Sequence, residues 1–296
     1  MIEEQVLKRD PRVLDRRARE RYFEDGFLTV PGYIGAAWLE RLRSVVAAKV
    51  EASRALSASD DQFDLAPGHC AEKPNIRRLR KAVDQHPELW AFAQDPVVVD
   101  LVADLLGPDL RFHSSKLNFK WSDGGDAVHW HQDIQAWPHT SFSVLTFGVY
   151  LDDTSAEQGP LTALPGTHRG PLFDQFDDGG RWTGALSARD VATLPTDRAV
   201  DMCGPAGTVV LIHCRVVHGS PSTTRRAFVR CSSTCTPRLT RCRSRRRRRQ
   251  PRERACWCEA RSPCTSTWSH IRRACHRAGT RSAIVRSSPL RVRQDR

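Results

Sequence analysis

VHWHQDIQAWPH (residues 128–139) and GTVVLIHCRVVHGS (residues 207–220) decide how this chain is read. In a strand, side chains two apart share a face, so His131 and Asp133 can reach one atom from one strand. A third donor must come from elsewhere. His218, at the end of an apolar strand and directly before Gly219, is the candidate. Two imidazoles and a carboxylate on one face, with the opposite positions open, form the facial triad of non-haem Fe(II) sites, where a co-substrate and O2 both need room on the metal. His129 shares the face of His131, so a His129/His131/Asp133 set stands as the alternative.

Outward from these stretches, segments 110–121, 127–135, 143–151, 160–164 and 207–218 are short, rich in β-branched and aromatic residues, and bounded by Gly, Pro, Asp or Ser, as strands are. The front half reads differently. Residues 10–25 and 36–56 are helical in spacing, FLTVPG (27–32) is a short strand into a turn, and 58–75 is a loop. A single helix is expected over 86–106, stopped by Gly107-Pro108. Helices followed by a run of strands predict an α+β fold with a β-sandwich or barrel as its body. His113, His139, His168 and His213 read as structural or surface histidines, and Trp130 and Trp137 as wall or core.

Composition divides the chain in two. Of 296 residues with a net charge of +12, residues 230–296 hold 20 Arg, no Lys and three acids, so the basic character belongs to that tail. Seven of the ten cysteines also lie there, and residues 231–296 contain six Ile, Leu or Val. That is too little apolar surface to build a core. The expected organisation is therefore a domain over 1–229 and an Arg/Cys-rich tail over 230–296, disordered or the product of out-of-frame translation. In the latter case the body would lack its last strand and expose a sheet edge. Arg245–Arg249 raises the other possibility, a basic arm that binds nucleic acid. The tail cysteines and histidines lack the paired spacing of a zinc site. With no run of eighteen apolar residues, no apolar leader and no framework of cysteines in the body, a cytoplasmic protein without a membrane span is expected. Oligomeric state is not readable.

HQDIQAWPHT, VYLDDTSAEQGPLTALPGTHRG (149–170), HGS (218–220) and EDGFLTVPG (24–32) together resemble the phytanoyl-CoA dioxygenase family of Fe(II)- and 2-oxoglutarate-dependent oxygenases, over about residues 15–230. The resemblance implies a double-stranded β-helix (a cupin-like jelly roll) with N-terminal helices packed on it, and iron held by His131, Asp133 and His218. It implies 2-oxoglutarate as co-substrate beside O2, its far carboxylate gripped by Arg225 with Ser220, and with Lys81 and Lys116 as further candidates. Here the chain departs from the family, because Arg225 follows His218 by seven residues instead of some eleven, and a register shift of one would bring in Arg226. Asp133 implies hydroxylation or a related oxidation, since halogenases of this fold carry a small residue there. The implied activity is hydroxylation of a small organic substrate with release of succinate and CO2. The alternatives are a catalytically impaired relative, or a nucleic-acid-binding protein acting through its tail.

Overall fold

The computed structural model describes residues 3–121, 127–136, 139 and 141–222, and the backbone of 234–241. Three helices and a strand open the chain: α1 (Glu3–Leu7), α2 (Arg16–Asp25), β1 (Phe27–Val30) and α3 (Ala36–Ser53). The Asp15 carboxylate caps α2 by accepting from the Ala18 N–H at 2.7 Å, and Gly26, at φ +84°, ends the helix and turns the chain directly into β1. Next come β2 (Phe63–Leu65), β3 (Ile76–Arg80), α4 (Pro87–Gln94), α5 (Pro96–Leu106) and β4 (Leu110–Asn118). The one helix expected over 86–106 is thus two. Pro96 keeps Asp95 out of the helical region (φ −65°, ψ 142°), so Asp95 ends α4 and caps α5 through the Val97 N–H.

The remaining elements are β5 (Val128–His131), β6 (Val144–Tyr150), β7 (Thr162–Ala163), α6 (Ala188–Val191), β8 (Val200–Asp201), β9 (Val209–His213), β10 (His218–Ser220) and β11 (Thr234–Arg241). The strand expected over 207–218 is also two elements. β9 lies in a seven-stranded sheet ordered β1-β9-β6-β11-β4-β3-β2, and β10 in a four-stranded sheet ordered β5-β10-β7-β8. All the strand pairings are antiparallel. Two antiparallel sheets with helices covering one of them is the expected α+β, double-stranded β-helix class.

β6 shows how the layers are built. Leu145, Phe147 and Val149 pack with Leu101, Leu105 and Leu211 in the large core under the helices. Their neighbours alternate to the other face: Tyr150 joins Phe27, Ile212 and Val216, and Val144 joins Ile134 and Cys214. A strand buried on both faces is apolar throughout, apart from Thr146 and Gly148.

The stretch read as a tail contributes β11 to the larger sheet. Its backbone runs between β4 and β6, paired with both, although it belongs to the Arg/Cys-rich stretch. Backbone pairing uses N–H and C=O groups that every residue carries, so composition is blind to it. Pro237 has no N–H to give; its partner is Ser115 on β4, while the pairs with β6 fall on either side, at Thr234–Cys235 and Arg238–Thr240.

Candidate metal centre

β5 delivers His131 as its last residue, and the chain then tightens into a short 3-10 turn that begins at Asp133. Asp133 therefore lies just past the strand rather than within it, as the 127–135 expectation had it. After β9, a turn closed by Val216 N–H donating to His213 C=O carries the chain across to the smaller sheet. β10 begins there with His218, in register directly opposite His131.

The three side chains converge. One donor atom from each of His131, Asp133 and His218 lies within 4.8 Å of the other two. His131 Nε2 is 3.8 Å from Asp133 Oδ1, and His218 Nε2 is 3.8 Å from Asp133 Oδ2. These separations exceed a hydrogen bond and suit three atoms that share one cation. The Nδ1 atoms are occupied: His131 Nδ1 donates to the His129 carbonyl at 2.9 Å and His218 Nδ1 to the Val216 carbonyl at 3.0 Å. A carbonyl only accepts, so each ring carries its proton on Nδ1 and turns an Nε2 lone pair inward. Thr146 Oγ1 donates to Asp133 Oδ2 at 2.8 Å, orienting a carboxylate that is 4% exposed.

Burial pushes His131 down to about 3; His218 and, less strongly, Lys116 push the same way, while Asp133 pulls it up. At neutral pH the imidazole is uncharged, the form that ligates. Two neutral imidazole nitrogens and one carboxylate oxygen fit a non-haem Fe(II) ion.

Gln132, between the two ligands, points the other way. Its Nε2 donates to the carbonyls of Pro171 and Arg215, and its Oε1 accepts from the Phe173 N–H. Thus the metal-facing turn is tied to two crossing segments.

The remaining candidates divide. His129 is exposed and supplies its carbonyl to His131, not an imidazole to the cluster, which removes the alternative set. Lys116 is half-buried and its charge reaches His131. Lys81 is exposed in a left-handed turn (φ 50°) just past β3. Ser220 is buried, but its hydroxyl donates to the Gly159 carbonyl at 2.8 Å, so that proton is not available to a ligand carboxylate. Arg225 and Arg226 lie outside the described residues, as does Trp137. Trp130 packs against Leu164, Leu186 and Val217, as a wall residue should. Thr146 and Gln132 were not foreseen. Thr146 alone carried a signal, as the polar side chain on the inward face of an otherwise apolar strand.

The family model for phytanoyl-CoA dioxygenase matches residues 22–227, which include the whole triad. The chain belongs to that family. A probable alpha-ketoglutarate-dependent hypophosphite dioxygenase of Stutzerimonas stutzeri is 34% identical over 225 residues, covering 71% of this chain and 75% of its own length. The L-proline trans-4-hydroxylase of Streptomyces griseoviridis is 26% identical over 225 residues, covering 70% and 80%. Among solved structures, EctD from S. alaskensis with 2-oxoglutarate and 5-hydroxyectoine superposes with a TM-score of 0.65 at 22% identity, over 80% of each chain, a likeness of fold. This phytanoyl-CoA dioxygenase-family member is a 2-oxoglutarate-dependent non-haem iron dioxygenase, with Fe(II), 2-oxoglutarate and O2 as its reagents. No helix among its described residues is long and apolar enough to cross a membrane.

Proposed function

We propose that the protein hydroxylates a small molecule, converting 2-oxoglutarate and O2 to succinate and CO2 as it does so. His131 Nε2, His218 Nε2 and the Asp133 carboxylate hold the Fe(II). The observation that carries this is the register of β5 against β10: it brings two imidazoles together, ring centroids 4.2 Å apart, with a carboxylate 3.8 Å from the Nε2 atom of each, while carbonyls fix both tautomers. When bound, the metal activates O2 for oxidative decarboxylation of 2-oxoglutarate and for oxygen insertion into a substrate bond to hydrogen. The protein's own contribution is positional. Thr146 and the two carbonyls hold the donors in place before the metal arrives.

For 2-oxoglutarate, Lys116 is a cation whose charge reaches the triad, and Arg225 remains the proposed partner of the far carboxylate, whose planar form a guanidinium matches in bidentate fashion. The relatives act on hypophosphite, L-proline and ectoine by their names, so the family carries the chemistry and leaves the substrate open.

The test is anaerobic. Fe(II) and 2-oxoglutarate added to the purified chain should give a visible metal-to-ligand charge-transfer band that Asp133→Ala abolishes. Folded parent protein without a band would overturn the assignment.

A further inference from the structure

We propose that Gln132 is a positioning residue that couples the two halves of the metal centre. Its side-chain amide sets the β9–β10 crossover, and with it the ring of His218, against the segment that carries His131 and Asp133. The inference deepens the dioxygenase reading above and rests on it.

Asp133 stands between two bonds to the crossover. On one side of it Gln132 Nε2 donates to the Arg215 carbonyl at 2.8 Å, and on the other the Ile134 N–H donates to the Cys214 carbonyl at 2.9 Å. A peptide unit is planar, so a bond at each edge fixes its orientation. The unit joining Arg215 to Val216 gives its carbonyl to Gln132 and its N–H to the His213 carbonyl at 3.0 Å. The next unit, joining Val216 to Val217, gives its N–H to Thr167 Oγ1 at 2.9 Å and its carbonyl to His218 Nδ1 at 3.0 Å. Gln132 is thus one peptide away from the carbonyl that fixes the His218 tautomer.

The amide is suited to this place. Gln132 is 0% exposed, its second Nε2 bond goes to the Pro171 carbonyl at 3.1 Å, and its Oε1 accepts from the Phe173 N–H at 3.0 Å. One side chain therefore meets three backbone groups on two segments with the same N–H and C=O chemistry that a strand offers. The need arises because the 3-10 turn at Asp133 ends the pairing of β5 at His131. Gln175 supplies the contrast. It is equally buried, at 1% exposed, and its Nε2 donates to the Gln132 carbonyl at 2.7 Å. Among the described residues its side chain makes no bond to the crossover.

The experiment compares Gln132→Met with Gln175→Met, which keep the length of the side chain and take away the amide. Both remove buried hydrogen bonds, so both should lower the denaturation midpoint. Proton–nitrogen NMR of the histidine rings in the metal-free protein reads the tautomers. Gln132→Met should turn His218 into a mixture of tautomers while His131 keeps its Nδ1–H, because the His129 carbonyl that fixes it lies within β5. Fe(II) affinity, read anaerobically by competition with a coloured chelator, should fall by about 10- to 100-fold. Gln175→Met should change neither. Should Gln132→Met not fold, Gln132→Glu takes its place with the same two changes expected, since a carboxylate still accepts from Phe173 but has no proton for the Arg215 carbonyl. Three outcomes would overturn the proposal: a Gln132 variant with the parent's His218 tautomer and Fe(II) affinity, one whose two rings change alike, or equal losses in the Gln132 and Gln175 variants. A folded parent that binds no Fe(II) would instead remove the metal assignment, and the His218 tautomer would still decide whether Gln132 sets the crossover.

Discussion

Two histidine pairs flank the crossover from β9 to β10, one through His213 and the other through His218, and only one of them is built for a metal. His131 and His218 lie with ring centroids 4.2 Å apart, and His168 and His213 with theirs at 5.2 Å. Burial dominates both: it drives His131 and His213 alike down to about 3, and lowers His168 as well. By acidity His131 and His213 cannot be told apart. They differ in their company. Asp133 stands 3.8 Å from both Nε2 atoms of the first pair. Arg215 stands near both rings of the second, and its charge adds to the depression. His168 Nε2 donates to the Phe23 carbonyl, which ties α2 to the 167–169 turn, and His213 Nδ1 accepts from the Arg215 N–H, which ties the end of β9 to its following turn. A carboxylate between imidazoles gathers a cation, whereas a guanidinium beside them repels one. A displaced pKa therefore reports burial, and the neighbouring charge reports purpose.

The strongest way to break this comparison is to make the first pair resemble the second. Asp133→Ala should abolish succinate formation and the charge-transfer band together, while the thermal midpoint stays within a few degrees of the parent, since removing the carboxylate also removes a buried charge. Activity surviving in that variant would mean that the imidazoles alone suffice. Thr146→Val is a finer cut. It keeps volume and shape but takes away the hydroxyl that donates to Asp133 Oδ2. Fe(II) affinity should fall by about 10- to 100-fold, with 2-oxoglutarate affinity of the metal-loaded form little changed. An unaltered iron titration would show that the carboxylate is held in place without it.

The triad was legible because strand alternation acts at a spacing of two, and His131 with Asp133 meets it even though a 3-10 turn takes over between them. His218 was legible as a histidine closing an apolar run, but the crossover that aims it was not. The stretch from Val209 to Val217, polar only at His213 and Arg215, carries no glycine or proline to mark where one sheet is left for the other. Pro96, by contrast, marks the break between α4 and α5 inside otherwise helical spacing. Gln132 and Arg215 are 83 residues apart and meet where β5 gives way to the 3-10 turn, which local sequence does not encode. Lys81 shows the converse, one residue past β3 and turned out by a left-handed backbone. For β11 the obstacle was different in kind, because side-chain composition was asked about a partnership made by backbone.

The second pair can be stressed without touching the first. Gly26 holds φ +84° where α2 ends, and a Cβ there would run into His168 Nδ1 and Val216 Cγ2. Gly26→Ala should cost about 2 kcal/mol or more through left-handed strain and overpacking. Once folded, the variant should keep the parent's iron affinity. A larger effect on iron binding than on the denaturation midpoint would show that the two pairs are coupled through the β9–β10 turn.

The smallest expected effect is the one that separates charge from shape in the second pair. His213 titrates near 6.5 when unfolded and at about 3 in the fold, so between those values the unfolded chain holds a proton that the native protein refuses. The stability it contributes is complete above pH 6.5 and is lost as the pH falls toward 3, by at most about 1.4 kcal/mol per pH unit for this one group. His168, shifted in the same direction, steepens the decline. His213→Gln removes the titration and keeps a polar group within reach of the Arg215 N–H. Denaturation midpoints of parent and variant should run parallel above pH 6.5 and converge or cross below it, as the parent alone pays for keeping His213 neutral. Curves that stay parallel down to pH 4 would mean that His213 takes up its proton without strain. The depression shared by the two pairs would then no longer follow from burial alone.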